Sequence, residues 1–107
     1  NIGNEALQRH VILFQENEVV LNLRFLPMAS IWVFNVEYKG RKAQGFKLSC
    51  DTPHMLSSNF PFDFLVVDNN GTGLDPISKN DFLNKRCSLF MLEPADIEKL
   101  RGQAVEV

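Results

Sequence analysis

IWVFNVEYKGRKAQGFKLSC, residues 31–50, decides the fold class. Its opening alternates: Trp32, Phe34, Val36 and Tyr38 form one set, and Ile31, Val33, Asn35 and Glu37 the other. Successive side chains of a strand point to opposite faces, so a period of two predicts a β-strand with the aromatic set toward the core. KGRK follows, and its Gly40 can take the positive φ that a tight turn needs. AQGFKLSC then places Phe46, Leu48 and Cys50 on one face. Residues 31–50 are therefore predicted to form a hairpin.

The same period extends in both directions. In VVLNLRF, Val19, Leu21, Leu23 and Phe25 oppose Val20, Asn22 and Arg24, which predicts a strand with a wet outer face. HVILF, His10–Phe14, is a short apolar run able to open a sheet. Ahead of it, Asn1–Arg9 is expected to be an arm, free in the isolated chain and docked in an assembly. Downstream, Asp51-Thr52-Pro53 breaks the strand, and HMLSSN predicts one helical turn capped by Asp51 or Thr52. FPFDFLVVD puts Phe60, Phe62, Phe64 and Val66 on one face, while Pro61, lacking an amide donor, confines the strand to an edge or to the residues after it. A last strand is expected over Arg86–Leu92, apolar on both faces. PADIEKLRGQ has the polarity of a short helix, with Pro94 at its start, Asp96 and Glu98 early, Lys99 and Arg101 late, and Gly102 as its stop.

Five or six short strands without β–helix–β alternation predict an all-β fold, a small antiparallel sandwich or partly closed barrel. Residues 1–107 make one domain, with 93–107 expected as a C-terminal helical extension. The net charge of -2, with no long run of either sign, argues against a dedicated nucleic-acid binder. Nine Phe against one Tyr point to an aromatic core, a sticky surface, or both. Cys50 and Cys87 lie far apart and are expected to be reduced, buried thiols. No apolar run reaches the roughly 20 residues of a membrane span. The chain begins at Asn1 and not at Met, which leaves upstream residues, a signal peptide included, an open matter.

Chemistry has three places to sit. VVDNNGTGLDPISKND, residues 66–81, opens D-x-N-x-T-G from Asp68, as an EF-hand calcium loop does. Its twelfth position is Lys79, where the closing carboxylate belongs, and strands flank it instead of helices. Asp75 and Asp81 could lend oxygens to a different cation site, but a turn-forming loop is the favoured reading. Cys50 and His54, four residues apart, with Asp51, Cys87 and His10, have no zinc-ligand spacing, and no third group orients His54 as a base for a Cys50 nucleophile. No enzyme is expected, and no cofactor or metal. Trp32 and the phenylalanines could stack on bases, yet Lys39, Arg41 and Lys42 cluster in one turn and not along a groove, so core packing is favoured.

The order of elements adds a further expectation. A strand with a central Trp32, a turn at Gly40, a second hairpin strand, a polar break, a strand ending LVVD, the D-N-N-G…D-P loop (Asp68, Gly71, Asp75-Pro76) and a closing CSLFML strand follow one another. Over about Val19–Leu92 this order resembles the small plug proteins of phage tail baseplates, β domains of contractile-tailed viruses. The resemblance implies a structural virion protein at the tail baseplate, present in host cytoplasm during assembly, contacting hub and tail-tube proteins in several copies of a symmetric assembly. It implies no catalysis and no cofactor; separately, no nucleic acid, membrane or small-molecule substrate is expected as a partner. Glu93–Val107 extends past the strand that closes such domains. The residues expected at interfaces are Leu74, Asp75, Pro76 and Ile77 in the long loop, and Ile97 and Leu100 in the C-terminal segment. Leu74, Ile77 and Phe82 are expected either to be left for partners or to fold back over the barrel mouth. The alternative is a small barrel that binds single-stranded nucleic acid or another polymer through an aromatic sheet face.

Overall fold

A computed structural model of the chain describes residues 2–52, 54–55, 60–92 and 105–107. Strands β1 (Leu7–Phe14), β2 (Asn17–Leu26), β3 (Ile31–Tyr38) and β4 (Arg41–Lys47) form a four-stranded antiparallel meander. Strands β5 (Asp63–Asp68), β6 (Cys87–Leu92) and β7 (Val105–Glu106) form a second antiparallel sheet. The predicted all-β sandwich is what the chain adopts.

The hairpin 31–50 forms as its pattern dictates. Tyr38 pairs with Arg41 around Lys39 and Gly40, both at positive φ (51° and 78°), the two-residue turn whose twist suits paired strands. Register then shifts by one residue opposite Asn35, where Gly45, at φ 79°, lets β4 bulge and donates its amide to Asn35 Oδ1 at 2.8 Å. Phe14 and Asn17 close a second hairpin around Gln15 and Glu16, again at positive φ (51° and 68°) but with no glycine to relieve it.

Chain 48–51 joins the sheets. Leu48 N still bonds Trp32 O, whereas Asp51 N bonds Val66 O, so the segment leaves β3 and runs parallel to β5 for one bridge at Cys50. One side of the sandwich is thereby partly closed. Val19, Leu21 and Leu23 of β2, Trp32, Phe34 and Val36 of β3, and Phe64, Val66 and Leu89 opposite them are essentially sealed from solvent. The rings meet edge-on: Phe34 with Phe64 at 5.5 Å, Phe62 with Tyr38 at 5.1 Å and with Phe14 at 5.3 Å, the geometry their quadrupoles favour. Each such buried ring contributes about 1.5–3 kcal/mol. The many phenylalanines serve chiefly as core.

These contacts also fix two poles. Phe62 beside Phe14 and Tyr38 places the turns at 15–16 and 39–40 at one end. Trp32 near the 27–30 turn, and the loop after Asp68, lie at the other.

Two expectations change. The arm over 1–9 is packed where it is described, since Ile2 is buried and Leu7–Arg9 belong to β1. Val105–Glu106 is a strand beside β6 and not part of a helix, because Val107 N and its neighbours complete the β6 ladder. The expectation at Pro61 holds: β5 begins at Asp63, past Pro61 and Phe62, where the missing amide no longer matters. The helix expected over 94–103, and most of the turn expected at HMLSSN, lie outside the described residues.

Candidate functional site: a pinned loop at one pole

Residues 69–86 join β5 to β6, and they are held like a structural element although they contain no regular structure. The reason begins with Asp68. Its carboxylate accepts hydrogen bonds from the amides of Asn70 (3.0 Å), Thr72 (3.1 Å) and Leu74 (3.2 Å), and from the Thr72 hydroxyl. The Thr72 hydroxyl, then the Asn70 amide, with help from the Leu74 and Thr72 amides, holds the Asp68 carboxyl down at about 2 against the opposing effect of its burial. The D-x-N-x-T-G spelling is thus the spelling of an Asp-capped turn: the oxygens a cation would use already face donors.

Arg86, the residue before β6, fastens the other end. Its Nε and Nη2 grip both oxygens of Asp81 at 3.0 Å each, a bidentate pair. Nη1 also donates to Leu74 O (3.2 Å) and Nη2 to Asp75 O (2.7 Å), and Asp68 Oδ1 lies 3.5 Å from Nη1. Burial alone would raise the Asp81 carboxyl, but Arg86 and the amides of Ile77 and Ser78 outweigh it and hold it low. Arg86 in turn is held firmly protonated by Asp81, against the opposing effect of its burial.

Further bonds dock the loop on the sandwich. Asp75 Oδ1 accepts from Cys50 N (2.8 Å), and the buried Trp32 indole donates to Ser78 O (3.0 Å) while its ring meets Phe82 edge-on at 5.4 Å. Among the described residues every buried side-chain nitrogen and oxygen has a partner.

Among exposed polar residues such as Asn70, Lys79 and Asn84, the pinning leaves three large apolar side chains outside. Leu74 (58%), Ile77 (57%) and Leu83 (52%) are exposed, and Met28, at the tip of the neighbouring 27–30 turn, is fully so. Of the residues expected at interfaces, Leu74 and Ile77 therefore face outward. Asp75 and Pro76 do not: Asp75 is committed to Cys50 N and to Lys47 (3.6 Å), and Pro76 is buried. Phe82 folds back onto Trp32. Ile97 and Leu100 lie outside the described residues. Arg86 was not marked by the sequence, because a lone arginine before a strand looks like any solvated charge. Its only signal was the surplus of carboxylates, Asp68, Asp75 and Asp81, within one loop.

The other candidates separate. His54 Nδ1 donates to Phe64 O (2.8 Å) and Nε2 accepts from Ser49 N (2.9 Å), which occupies both ring nitrogens and requires the neutral Nδ1–H form. Cys50 and Cys87 are unpaired and buried. Burial pushes the Cys50 thiol up to about 11 and that of Cys87 to about 12, away from thiolate chemistry. Among the described residues no three His, Cys, Asp or Glu side chains converge on a possible metal position. Trp32 is fully buried and is not a stacking platform. At the opposite pole Arg41 lies over the Phe60 ring (4.6 Å) and Lys39 over Tyr38 (5.6 Å), so the basic turn covers aromatic faces of its own chain. Asn22, Asn35, Glu37 and Lys42 line an open polar depression of about 130 Å³ at the β4 bulge.

No known protein family matches the chain, and no curated protein is similar to it in sequence.

Proposed function

We propose that the protein is a structural component of a phage tail baseplate that binds hub and tail-tube proteins and catalyses nothing. One observation carries the binding reading: a loop of irregular backbone is pinned by Asp68, Arg86 and Trp32, and it holds Leu74 and Ile77 in solvent. Ordering a loop in advance removes an entropic cost from association, and exposed apolar groups supply the gain. Met28 and Leu83 are exposed as well, and a protein partner can cover such apolar groups set among polar ones. The baseplate assignment rests on the order of strands and loops that resembles the plug proteins.

The double variant Leu74→Asp, Ile77→Asp tests it. Both side chains are exposed, so the fold should melt within about 4 °C of wild type, two surface changes together being worth under about 1 kcal/mol. Incorporation into tail particles should be lost. Normal incorporation with normal folding sinks the assignment of this pole as the contact surface.

A further inference from the structure

β1 is the outer strand of the meander, and among the described residues nothing pairs with its far edge. Phe25 N donates to Ala6 O, which sets the phase of the ladder. Even-numbered residues of β1 exchange hydrogen bonds with β2, so Leu7, Arg9, Val11 and Leu13 turn their amides and carbonyls to the free edge. The same four side chains are exposed on the outer face, Leu7 at 72% and Leu13 at 70%. Sheet edges are ordinarily protected by proline, charged side chains or a bulge. LQRHVILF has no proline, its one fully charged side chain is Arg9, and its eight pairs with β2 run without a register shift.

We infer that β1 pairs antiparallel with β1 of a second copy of the chain, across a two-fold axis at Val11. An antiparallel edge pair must match residues of the same phase, which leaves two central registers, at His10 or at Val11. The Val11 register is self-complementary. Val20 stands beside Val11 on β2, so a row of valines crosses four strands, Val20 and Val11 of each subunit. Arg9 then faces Leu13 of the partner subunit, and Glu18 stands beside Leu13 in every copy. Arg9 can extend over that leucine to Glu18 of the partner subunit, and the symmetry makes the contact twice. Arg9 and Glu18 are both exposed, and among the described residues neither has an ion-pair partner. Centring on His10 sets Arg9 against Val11 and breaks the valine row. An edge contact of this length is small, which gives a dissociation constant in the micromolar range. The pairing concerns a surface other than the pinned loop and does not depend on the baseplate assignment.

Sedimentation across a concentration series tests it with Arg9→Glu, Glu18→Arg, the double swap and Val11→Pro. Wild type should form a concentration-dependent dimer. Each single reversal places like charges together twice and should weaken it by about tenfold or more, and the double swap should restore it. Val11→Pro deletes an amide that points at the free edge, so it should give a monomer with unchanged melting. Should that variant unfold, the charge swap still decides. A wild type that is monomeric at millimolar concentration, a dimer indifferent to Arg9→Glu, open-ended oligomers, or failure of the double swap to rescue would each overturn the inference.

Discussion

Replacing Arg86 by Met removes five donors in fixed geometry and keeps most of the side-chain volume. In the wild type the guanidinium, 18% exposed, holds both oxygens of Asp81, whose own side chain is 8% exposed, and two carbonyls of the loop. Breaking one partner from a buried pair costs about 3–5 kcal/mol, because the remaining charge is left without compensation. Partial exposure puts this site at the lower end, about 3 kcal/mol, out of a total of about 5–15 kcal/mol for a domain. With a urea slope near 1.5 kcal/mol/M, the midpoint should fall by about 2 M. Arg86→Lys keeps the charge but not the fork, and should lose roughly half as much. Urea unfolding followed by Trp32 fluorescence reads the change directly, since the indole bonds Ser78 of the same loop. A loss below about 1 kcal/mol, the worth of an exposed surface pair, refutes the claim that Arg86 pins the loop.

Other outcomes follow from the same structure. Glu16→Gly should stabilise the domain by about 0.5–1 kcal/mol in urea unfolding, because it relieves a left-handed backbone (φ 68°). Stability should fall as pH drops from the ordinary carboxyl value of 3.8 toward about 2: the Asp68 carboxyl is depressed on folding, so its contribution is complete above 3.8 and is lost on protonation of the folded state. Acid titration of Asp68→Asn should show a flatter limb over that window. Cys50 and Cys87 should resist a disulfide reagent at neutral pH until denaturant is added, when both should react; rapid labelling of the folded protein contradicts their burial.

The β architecture was legible because one physical signal, the period of two, runs through IWVFNVEY and VVLNLRF, and each has one face to bury. The β1–β2 hairpin was less so: Gln15 and Glu16 carry no turn signature, and their positive φ is imposed by strand pairing on either side. The two-residue β7 is too short to show any period. Within the loop, Asp68 and Gly71 marked a turn, and Lys79 in place of a closing carboxylate turned attention to turn chemistry. What holds it, Arg86 to Asp81 and Trp32 to Ser78, spans residues that only the fold brings together. Leu74 and Asp75 are neighbours in sequence with the same loop context, yet one is presented to solvent and the other fastened to Cys50. A spacing argument has no means of separating them.

The most direct test of the central claim is the protein composition of particles purified through tagged protein from the cells that produce it. Recovery in fixed ratio with tail-tube and baseplate hub proteins, lost with Leu74→Asp, Ile77→Asp, is the expected result. Recovery of the protein alone, or with nucleic acid and no tail proteins, contradicts it.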